Sequence, residues 1–454
     1  MRYVSTIAAI STAPAVGAVS IIRLSGPEAL NIAWRIFTPL DSAKDWLPRQ
    51  MRFGRINDPE GGQLLDEVLC VWFPAPHSFT GEEVCEIQGH GGLAVTGQVL
   101  AAALKAGAEM AQPGEFTRRA FMNGRLDLAQ AEAVADLVAA RSDAEIRLAA
   151  RQLAGGLSGK VAEIHKALIA ALAELTADID FGDDLEPLEM KSFRERLEVM
   201  ALSPLERLLA DGRAGRPFRE GLRLALVGAP NVGKSSLFNL LVGSDRAMVS
   251  SVPGTTRDFI TAGAAWSGLV VELCDTAGLS AAPRDELDAL GQQRSRAQLT
   301  QADLVLWVRD LTRSEQDDET LDPEELPLDR TLVVLNKVDL ARPVKRPGQG
   351  RPELTVSART GEGLDQLKAA ILKLATGRDD PTPPEVVPNL RHQIALTRTA
   401  EILTETIADL KAGQPPDIVS LGLKSALNAL EVICGRTAPD DILAEIFSRF
   451  CLGK

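Results

Sequence analysis

Hydrophobic and polar positions follow three different patterns along this chain of 454 residues. From residue 1 to about 120, short β-branched runs such as AVSIIRL, DEVLCVWF and EVCEIQ alternate with turn clusters, and GGLAVTGQVLAAALKAG has the spacing of a helix. This pattern predicts an N-terminal domain of the α+β class. Pro14 and Gly17 interrupt the apolar start of the chain, which predicts a strand, a turn and a second strand there.

From about Leu126 the apolar residues recur at three-and-four spacing, and alanine and leucine dominate. The stretch LDLAQAEAVADLVAARSDAEIRLAARQLAGGLSGKVAEIHKALIAALAELTADI therefore predicts long helices. A second helical stretch is predicted to end near Asp211. The segment DGRAGRPFREG, with its glycines and proline, predicts a linker after it.

Continuous apolar runs come next: LRLALVG, LVVELCD, DLVLWVR and RTLVVLNKVD, separated by helical segments. They are typical of strands buried on both faces of a parallel sheet. The proline-rich TGRDDPTPPEVVP predicts a linker, after which helical texture returns. Helices on both sides of an α/β block favour an α/β domain inserted into one all-α domain, although two independent helical domains would give the same pattern. The predicted division is 1–120, 121–217, 218–378 and 379–454.

Charge and cysteine usage exclude some classes of protein. The net charge of −13 argues against sequence-blind coating of nucleic acid. The five cysteines show no CxxC spacing, which indicates reduced thiols in a cytoplasmic protein and disfavours a structural zinc site. No run reaches the roughly 18 apolar residues that a membrane span needs.

A phosphate-binding loop is predicted after the first run of the α/β block. In LALVGAPNVGKSSLFNLL, Gly228 and residues 233–235 fit G-x-x-x-x-G-K-[ST] between a predicted strand and a predicted helix. Backbone N–H groups of such a loop close around phosphates, and the helix N-terminus adds partial positive charge. Lys234 is expected to reach the terminal phosphates of a nucleotide, and Ser235 a Mg²⁺ ion.

Three further motifs select the base and the class. In DTAG, Asp275 is placed to hold Mg²⁺ through water and Gly278 to approach the γ-phosphate. In NKVD, Asp339 can accept hydrogen bonds from N1 and N2 of guanine, donors that adenine cannot supply; the main chain of SAR would support the base. This order and spacing resemble the Ras-like GTPases. The predicted GTP-binding residues are Asn231, Val232, Gly233, Lys234, Ser235, Ser236, Ser250, Ser251, Val252, Pro253, Gly254, Thr255, Thr256, Asp275, Thr276, Ala277, Gly278, Asn336, Lys337, Asp339, Ser357, Ala358 and Arg359.

The segment RAMVSSVPGTTRD is similar to the switch segment of translation-factor-related GTPases, in which a threonine completes the Mg²⁺ shell; Thr256 is predicted for that role. Leu279 stands where many small GTPases have a glutamine that orients the attacking water. Asn231 offers a neutral oxygen beside the phosphates. A monovalent cation bound there could do the work of an arginine finger.

Motifs outside the nucleotide-binding region make the resemblance more specific. They are HSFTGEEVCEIQGHGG, QPGEFTRRAFMNGRLDLAQAEAVADLV, IDFGDD and the terminal FCLGK. Together with the inserted G domain, these motifs resemble the MnmE (TrmE) family of tRNA-modification GTPases over essentially the whole chain.

The resemblance implies a homodimer whose N-terminal domain binds a folate one-carbon donor, 5-formyl- or methylene-tetrahydrofolate. With a flavin-dependent partner, MnmG (GidA), it would form a heterotetramer. That assembly would add an aminomethyl or carboxymethylaminomethyl group to C5 of the wobble uridine of certain tRNAs. GTP hydrolysis would open and close two G domains that meet through their switches in a potassium-dependent way. The implied cofactors are therefore GTP, Mg²⁺, K⁺ and a tetrahydrofolate derivative.

The family's functional residues carry over to matching positions of this chain. Basic groups suit the glutamyl carboxylates of folate, and a carboxylate suits the donors of its ring. Cys451 would be brought to this pocket by a movable tail, as a nucleophile on the uridine ring or as a contact to the cofactor. The implied folate-binding residues are Arg23, Glu86, Arg125 and Lys454; the implied Mg²⁺ ligands are Ser235 and Thr256; the implied K⁺ ligands are Asn231, Ser250, Val252 and Thr255.

This chain departs from the family pattern at two places. TAPAVGAVS replaces a first turn that usually resembles TPPGRGGVG, so an arginine and two glycines are lost around residues 15–18. In the family, a glutamate after DTAG orients the hydrolytic water. Here the stretch is PRDELDALG, and counting back from Gly291 places Asp288 at that position, with Glu286 as the alternative.

Two other functions are compatible with parts of the pattern. A ribosome-assembly switch of the Era or Der type shares the G-domain texture, but it predicts a basic RNA-binding appendage after the G domain, for example a KH-like domain. The C-terminal segment here has the residue pattern of helices, and its net charge is acidic to neutral. A folate enzyme regulated by GTP is the second alternative, and it predicts folate turnover without tRNA or a partner.

Overall fold

The computed structural model describes residues 5–41, 46–181, 188–243, 261–266, 268–275, 299–313, 326–341, 350–379, 382–435, 437 and 439–454. The chain divides into two compact units. The first contains Met1–Val138, Gln152–Lys166 and Lys424–Lys454, and the second contains Ala139–Arg151 and Ala167–Leu423. No helix in the described ranges is long and apolar enough to cross a membrane.

A mixed sheet forms the centre of the first unit. Its strands lie in the order β3-β4-β5-β6-β2-β1-β7, and every neighbouring pair is antiparallel except β1 and β7. The predicted strand, turn and strand at the start of the chain are confirmed as β1 and β2. The strands are β1 (Ile7–Ile10), β2 (Val19–Ser25), β3 (Phe37–Pro39), β4 (Arg52–Asn57), β5 (Leu64–Phe73), β6 (Val84–His90) and β7 (Glu109–Met110).

The two faces of this sheet have different environments because neighbouring side chains in a strand point to opposite sides. One face packs on helices α1 (Ala29–Ile36) and α2 (Leu93–Lys105), and its core includes Ile22, Cys70 and Ile87. On the other face, Arg23 and Glu86 stand directly opposite each other in β2 and β6. This second face carries the candidate residues of the N-terminal domain.

Helices complete the first unit. Leu128 and Val134 of α4 pack with Phe447 and Phe450, which belong to the last helix and the residues after it. Gly114 has a φ of 71°, and a side chain there would overlap the carbonyl of Phe447. The close approach fixes the end of the chain against the N-terminal domain. The first unit contains α3 (Glu115–Met122) and nearly all of α4 (Leu128–Ala139). Most of α5 (Asp143–Leu153) belongs to the second unit, and α6 (Gly156–Phe181) is divided between the two units.

In the second unit, α7 (Met190–Leu197) continues through one π-helical turn, Glu198–Leu202, into α8 (Ser203–Glu220). The prediction of a linker over DGRAGRPFREG is wrong, since α8 runs through it and ends only at Gly221. Side chains at Gly212 and Gly215 would meet Gln393 and Val387. These glycines therefore permit close packing against the chain around residues 387–393, and that packing outweighs their low helix propensity.

The α/β part of the second unit is a six-stranded sheet among the described residues, in the order β13-β12-β11-β8-β10-β9. All neighbouring strands are parallel except β9 and β10. This is the strand order of the Ras-like fold, so the predicted fold class is confirmed. The elements are β8 (Leu222–Val227), α9 (Lys234–Gly243), β9 (Thr261–Trp266), β10 (Leu269–Asp275), β11 (Leu304–Asp310), β12 (Thr331–Asn336), β13 (Glu353–Val356) and α10 (Leu364–Thr376).

Every residue of β11 and β12 is buried, as the continuous apolar runs predicted. After the G domain come three helices in the described part: α11 (Leu390–Lys411), α12 (Pro416–Cys434) and α13 (Asp440–Ser448). No KH-like mixture of strands and helices occurs in that described stretch. The four-part division of the chain into domains stays a prediction.

Candidate functional site

The phosphate loop lies between β8 and α9, at the carboxyl edge of the central strand. Two of its glycines are required by close contacts. Gly228 has a φ of 149°, and a side chain there would overlap the carbonyl oxygen of Val308. Gly233 has a φ of 98°, and a side chain there would overlap Nδ2 of Asn336. Residues with a Cβ atom rarely adopt these conformations, so the sequence pattern G-x-x-x-x-G reflects the space available.

Lys234 is the first residue of α9 and is 9% exposed. Its Nζ donates hydrogen bonds to the carbonyl oxygens of Gly228 and Ala229, both at 2.9 Å. The ammonium is therefore held on the inner side of the loop, where it can exchange these partners for phosphate oxygens. Ser235 and Ser236 follow in the first turn of α9, whose backbone N–H groups and helix dipole favour an anion.

Asn336 joins the three nucleotide motifs. It is 2% exposed, and its Nδ2 donates to the carbonyl oxygen of Val232 at 2.8 Å. Its Oδ1 accepts a hydrogen bond from the backbone N–H of Ala358 at 2.9 Å. One buried amide thus ties the phosphate loop, the NKVD motif and the SAR motif together.

Asp339 lies beside SAR. Its Oδ1 accepts a hydrogen bond from Oγ of Ser357 at 2.7 Å, and Oγ of Ser357 also accepts one from the N–H of Thr360 at 3.1 Å. The carboxylate is therefore fixed in orientation by a serine that is itself 1% exposed. An oriented carboxylate can accept two parallel N–H donors, which is the recognition that guanine requires. Arg359 follows Ala358 in the same turn.

Lys337 contacts the phosphate loop from the other side. Its Nζ donates to the carbonyl oxygen of Asn231 at 3.1 Å and lies 2.6 Å from Oδ2 of Asp310. Burial raises the pKa of Asp310, but hydrogen bonds from Lys337 and Thr312 outweigh it and hold that pKa below its ordinary value. Sequence reasoning missed Asp310. The available signal was an aspartate at the end of a largely apolar run, with a threonine two residues later.

Several predicted nucleotide-site residues lie outside the described part of the chain. The structure describes the backbone of Asp275 at the end of β10 but not its side chain. The remaining ones are Ser250, Ser251, Val252, Pro253, Gly254, Thr255, Thr256, Thr276, Ala277, Gly278, Asp288 and its alternative Glu286.

In the N-terminal domain, the structure brings two of the predicted residues into direct contact. Nε and Nη2 of Arg23 lie 2.9 and 2.8 Å from Oε1 of Glu86, and both side chains keep some exposure, 17% and 16%. The guanidinium of Arg23 also lies 5.3 Å from the ring centre of Phe79 and 5.8 Å from that of Phe116. A cation, a carboxylate and two aromatic rings thus line one face of the sheet.

Arg125 lies along the loop that carries Phe79. Its Nε donates to the carbonyl oxygen of Ser78 at 3.2 Å, and its side chain passes within 3.1 Å of where a Cβ would stand on Gly81. Asn123 donates to the carbonyl of Thr80 at 2.8 Å in the same loop. The predicted residues Arg23, Glu86 and Arg125 therefore belong to one connected group.

A buried arginine beneath this group was not predicted. Arg119 of α3 is fully buried, and its guanidinium lies 2.9 Å from Glu115 and 3.2 Å from Glu82. Nη1 of Arg119 also donates to the carbonyl oxygen of Ser5 at 2.8 Å. Oε2 of Glu82 accepts a further hydrogen bond from Ser25, two residues after Arg23 in β2. Arg119 thus connects α3, which carries Phe116, to the loop and strand that carry the other residues of the group.

The C-terminal tail reaches the end of β1. Oγ of Ser11 donates to the carbonyl oxygen of Gly453 at 3.2 Å, and a side chain at Gly453, whose φ is 90°, would overlap the carbonyl of Ile10. Ile10 pairs with Ile22, the neighbour of Arg23. Lys454 is half-buried, and its backbone N–H donates to the carbonyl of Cys451 at 3.3 Å. The tail therefore ends close to the strand that holds Arg23.

The cysteines differ in their surroundings. Burial raises the pKa of the Cys70 thiol and of the Cys85 thiol, so both stay protonated and inert in the core. Burial likewise raises the pKa of Cys274, and Cys434 stands at the end of α12. Cys451 is exposed. Cys274 and Cys434 are half-buried, so the tail cysteine is the most exposed of the five thiols.

Guanine offers the paired donors that the oriented Asp339 can accept, and the loop before α9 is shaped for phosphates. The second unit therefore belongs to the class of P-loop GTP-binding proteins with the Ras-like fold.

Comparison with known proteins defines the family. A family model for the MnmE helical domain matches residues 128–451, and a model for the N-terminus of the GTP-binding protein TrmE matches residues 6–125. The tRNA modification GTPase MnmE of Roseiflexus sp. (strain RS-1) is 41% identical over 468 residues, covering 100% of both chains. That of Moorella thermoacetica is 41% identical over 466 residues, covering 99% of each. The chain belongs to the MnmE family.

Among solved structures, the G domain of the FeoB iron transporter of T. maritima is 31% identical. The match covers 34% of this chain and 98% of that one, with a TM-score of 0.28.

Proposed function

We propose that this protein is a GTP-hydrolysing enzyme of tRNA modification. The observation that carries the proposal is its full-length similarity to tRNA modification GTPases, in a chain whose described guanine-nucleotide motifs meet at one edge of a Ras-like sheet. The Era- or Der-like alternative predicted an RNA-binding appendage after the G domain. Helices α11 to α13 occupy the described residues there, which favours the modification enzyme.

We further propose the reaction that the family resemblance implies. With the flavin-dependent partner MnmG, the protein would add an aminomethyl or carboxymethylaminomethyl group to C5 of the wobble uridine, position 34. The group formed by Arg23, Glu86 and two aromatic rings supports this proposal, because its chemistry suits a folate: the carboxylate can accept from ring N–H donors and the rings can stack. A bound tetrahydrofolate derivative would supply the one-carbon unit. Arg125 and Lys454 would provide positive charge for its glutamyl carboxylates.

In the nucleotide site, Lys234 would transfer its hydrogen bonds from the loop carbonyls to the β- and γ-phosphates, and Asp339 would hold the base. Ser235, in the first turn of α9, would contribute a hydroxyl to Mg²⁺, together with Thr256. Asn231 would contribute an oxygen to K⁺, with Ser250, Val252 and Thr255. Asp288 would orient the attacking water, and Asp288→Ala should then slow GTP turnover. Unchanged turnover would mean that another group orients the water.

We also propose a cytoplasmic homodimer. The sheet face that bears Arg23 continues across β4 and β5 as Phe53 and Leu69, which stand opposite each other and are 49% and 39% exposed. Two neighbouring large apolar side chains on an open sheet face support a contact with a second copy. The heterotetramer with MnmG follows from the family resemblance alone.

Mass spectrometry of tRNA nucleosides from a deletion strain tests the function. Modified wobble uridines should be missing and should return when the wild-type chain is supplied. Cys451→Ser should leave GTP hydrolysis near normal but should not restore the nucleosides. Unaltered nucleosides in the deletion strain would refute the proposed function, and full restoration by Cys451→Ser would remove the thiol from the chemistry.

A further inference from the structure

Asp310 is a buried carboxylate at the edge of the sheet where the nucleotide motifs meet. It belongs to none of those motifs. It ends β11 and is 1% exposed. Its Oδ1 accepts hydrogen bonds from the N–H and Oγ1 of Thr312, at 2.9 and 2.7 Å. Its Oδ2 lies 2.6 Å from Nζ of Lys337. The carboxylate is thus fixed by Thr312 on one side and directed at Lys337 on the other, while Nε of Arg313 lies farther from Oδ2, at 3.7 Å.

Lys337 connects the fixed carboxylate of Asp310 to the phosphate loop. The same Nζ that contacts Asp310 donates to the carbonyl oxygen of Asn231 at 3.1 Å. A free lysine side chain samples many rotamers, and fixing one costs conformational entropy. A buried carboxylate 2.6 Å away selects the rotamer that reaches the loop, so that cost is met before a nucleotide arrives.

Backbone conformation shows that this contact holds a strained part of the loop. Asn231 and Lys337 have positive φ values of 66° and 69°, the conformation that residues with a Cβ atom rarely adopt. Each such residue is strained and persists only where its surroundings stabilise it. The Lys337 hydrogen bond joins these two residues directly. Asn336 holds the next carbonyl, that of Val232, so two neighbouring carbonyls of the loop are fixed from NKVD.

We propose that Asp310 is a positioning residue that sets the conformation of the phosphate loop through Lys337. The proposal rests on the GTP-binding function proposed above and adds a residue to it. Asp310 acts through the lysine rather than on the nucleotide, so two consequences follow. Its loss should weaken phosphate binding without changing the choice of base, and it should matter only while Lys337 is present.

Equilibrium binding of fluorescent N-methylanthraniloyl GDP and IDP to the full-length protein tests both consequences. IDP lacks the N2 amine, so the ratio of the two dissociation constants reports base recognition by Asp339. Asp310→Asn keeps the shape of the side chain and removes its charge. We expect it to raise both dissociation constants by the same factor, on the order of 10-fold or more, and to leave their ratio unchanged.

Asp303→Asn is the matched control. Asp303 precedes the same strand at its opposite end, where it accepts a hydrogen bond from the N–H of Arg223 at 2.9 Å and pairs with Arg216. It is expected to leave GDP affinity within about 2-fold. In a Lys337→Met background, Asp310→Asn should change GDP affinity by less than about 3-fold. An equal effect in both backgrounds would show that Asp310 only stabilises the fold, and would overturn the proposal.

Thr312→Val is a second, milder variant. Thr312 is exposed, and the change removes one hydrogen bond to Asp310 while keeping the backbone N–H bond. A roughly 3-fold weaker GDP affinity is expected, with a melting temperature close to that of wild type. Wild-type affinity in Asp310→Asn or in Thr312→Val would contradict the proposal. A wild-type protein that binds neither nucleotide would instead refute the GTP-binding function.

Discussion

Replacing Arg119 by methionine should destabilise the N-terminal domain and weaken folate binding. Methionine has a similar length and packs well in a core, so the change mainly removes the charge and the donors. The carboxylates of Glu115 and Glu82 then lose the guanidinium at 2.9 and 3.2 Å, and the carbonyl of Ser5 loses its donor. The perturbation leaves two negative charges in a largely buried network.

Removing one partner of a buried ion pair costs about 3–5 kcal/mol. The loss expected here lies at or just below the bottom of that range, since Glu82 and Glu115 keep 14% and 18% exposure. Each also keeps another donor: Ser25 for Glu82 at 2.8 Å, and the N–H of Gln112 for Glu115 at 2.8 Å. We therefore expect a loss of ~2–3 kcal/mol. For a unit of this size, that loss lowers the melting temperature by roughly 5–10 °C.

Differential scanning calorimetry with and without GDP provides the assay. GDP shifts the transition of the G domain, so the transition that GDP does not move reports the first unit. Arg118→Met is the matched control, because Nε of Arg118 has no hydrogen bond within the described residues. A GDP-independent transition that is unchanged in Arg119→Met would refute the reasoning. Arg119→Met/Glu82→Gln should recover part of the loss, because it removes one uncompensated charge.

Three further predictions concern pH, the tail and the cation. The hydrogen bond and charge of Asp66 raise the pKa of His90 above its ordinary value, so the stabilisation is complete below about pH 6.5 and is lost as the pH rises through the raised folded value. The GDP-independent melting temperature should therefore fall between about pH 6 and pH 8, and His90→Gln should remove that component; an identical slope would contradict it. Gly453→Ala should displace the tail from Ile10 and lower wobble-uridine modification while GTP turnover stays normal, as nucleoside mass spectrometry and phosphate release would show. GTP turnover should be faster in K⁺ than in Na⁺ at equal ionic strength, and equal rates would remove the cation from the mechanism.

The sequence allowed the nucleotide motifs to be located because each motif is short and follows an apolar run. Apolar runs indicated the buried strands β11 and β12. The pattern G-x-x-x-x-G-K-S indicated a loop in which a side chain at either glycine would overlap neighbouring atoms. The sequence failed over residues 211–221, where glycine and proline predicted a linker. There Gly212 and Gly215 are buried helical residues, and their lack of a side chain lets Gln393 and Val387 pack closely against the helix. A partner 170 or so residues away decides the outcome, and local propensity contains no information about it.

The sequence could not identify Arg119 and Asp310, the residues that support the two sites, for the same reason. Arg119 is one of two consecutive arginines in TRRAF, and only the fold shows which of them meets Glu82. Asp310 becomes important only when β11 and β12 lie side by side and bring Lys337 next to it. Motifs show which residues meet a ligand. The charges that hold those residues in place come from other elements, and their pairing follows from the topology.

The first turn, TAPAVGAVS, departs from the family pattern, and the structure shows which of its positions need glycine. Residues 13–18 are exposed, and none of residues 15–18 has a positive φ, so this turn does not require glycine at the replaced positions. Its anchors are backbone groups: the N–H of Gly17 donates to the carbonyl of Gly91 at 2.9 Å, and the N–H of Gly91 donates to that of Ala18 at 3.3 Å. Any residue type can supply such groups. The position that cannot vary is Gly91, where a side chain would overlap the backbone of Gly17. The shape of the turn is therefore set by the GHGG segment, and the lost arginine removes a charge at an exposed site without removing an anchor.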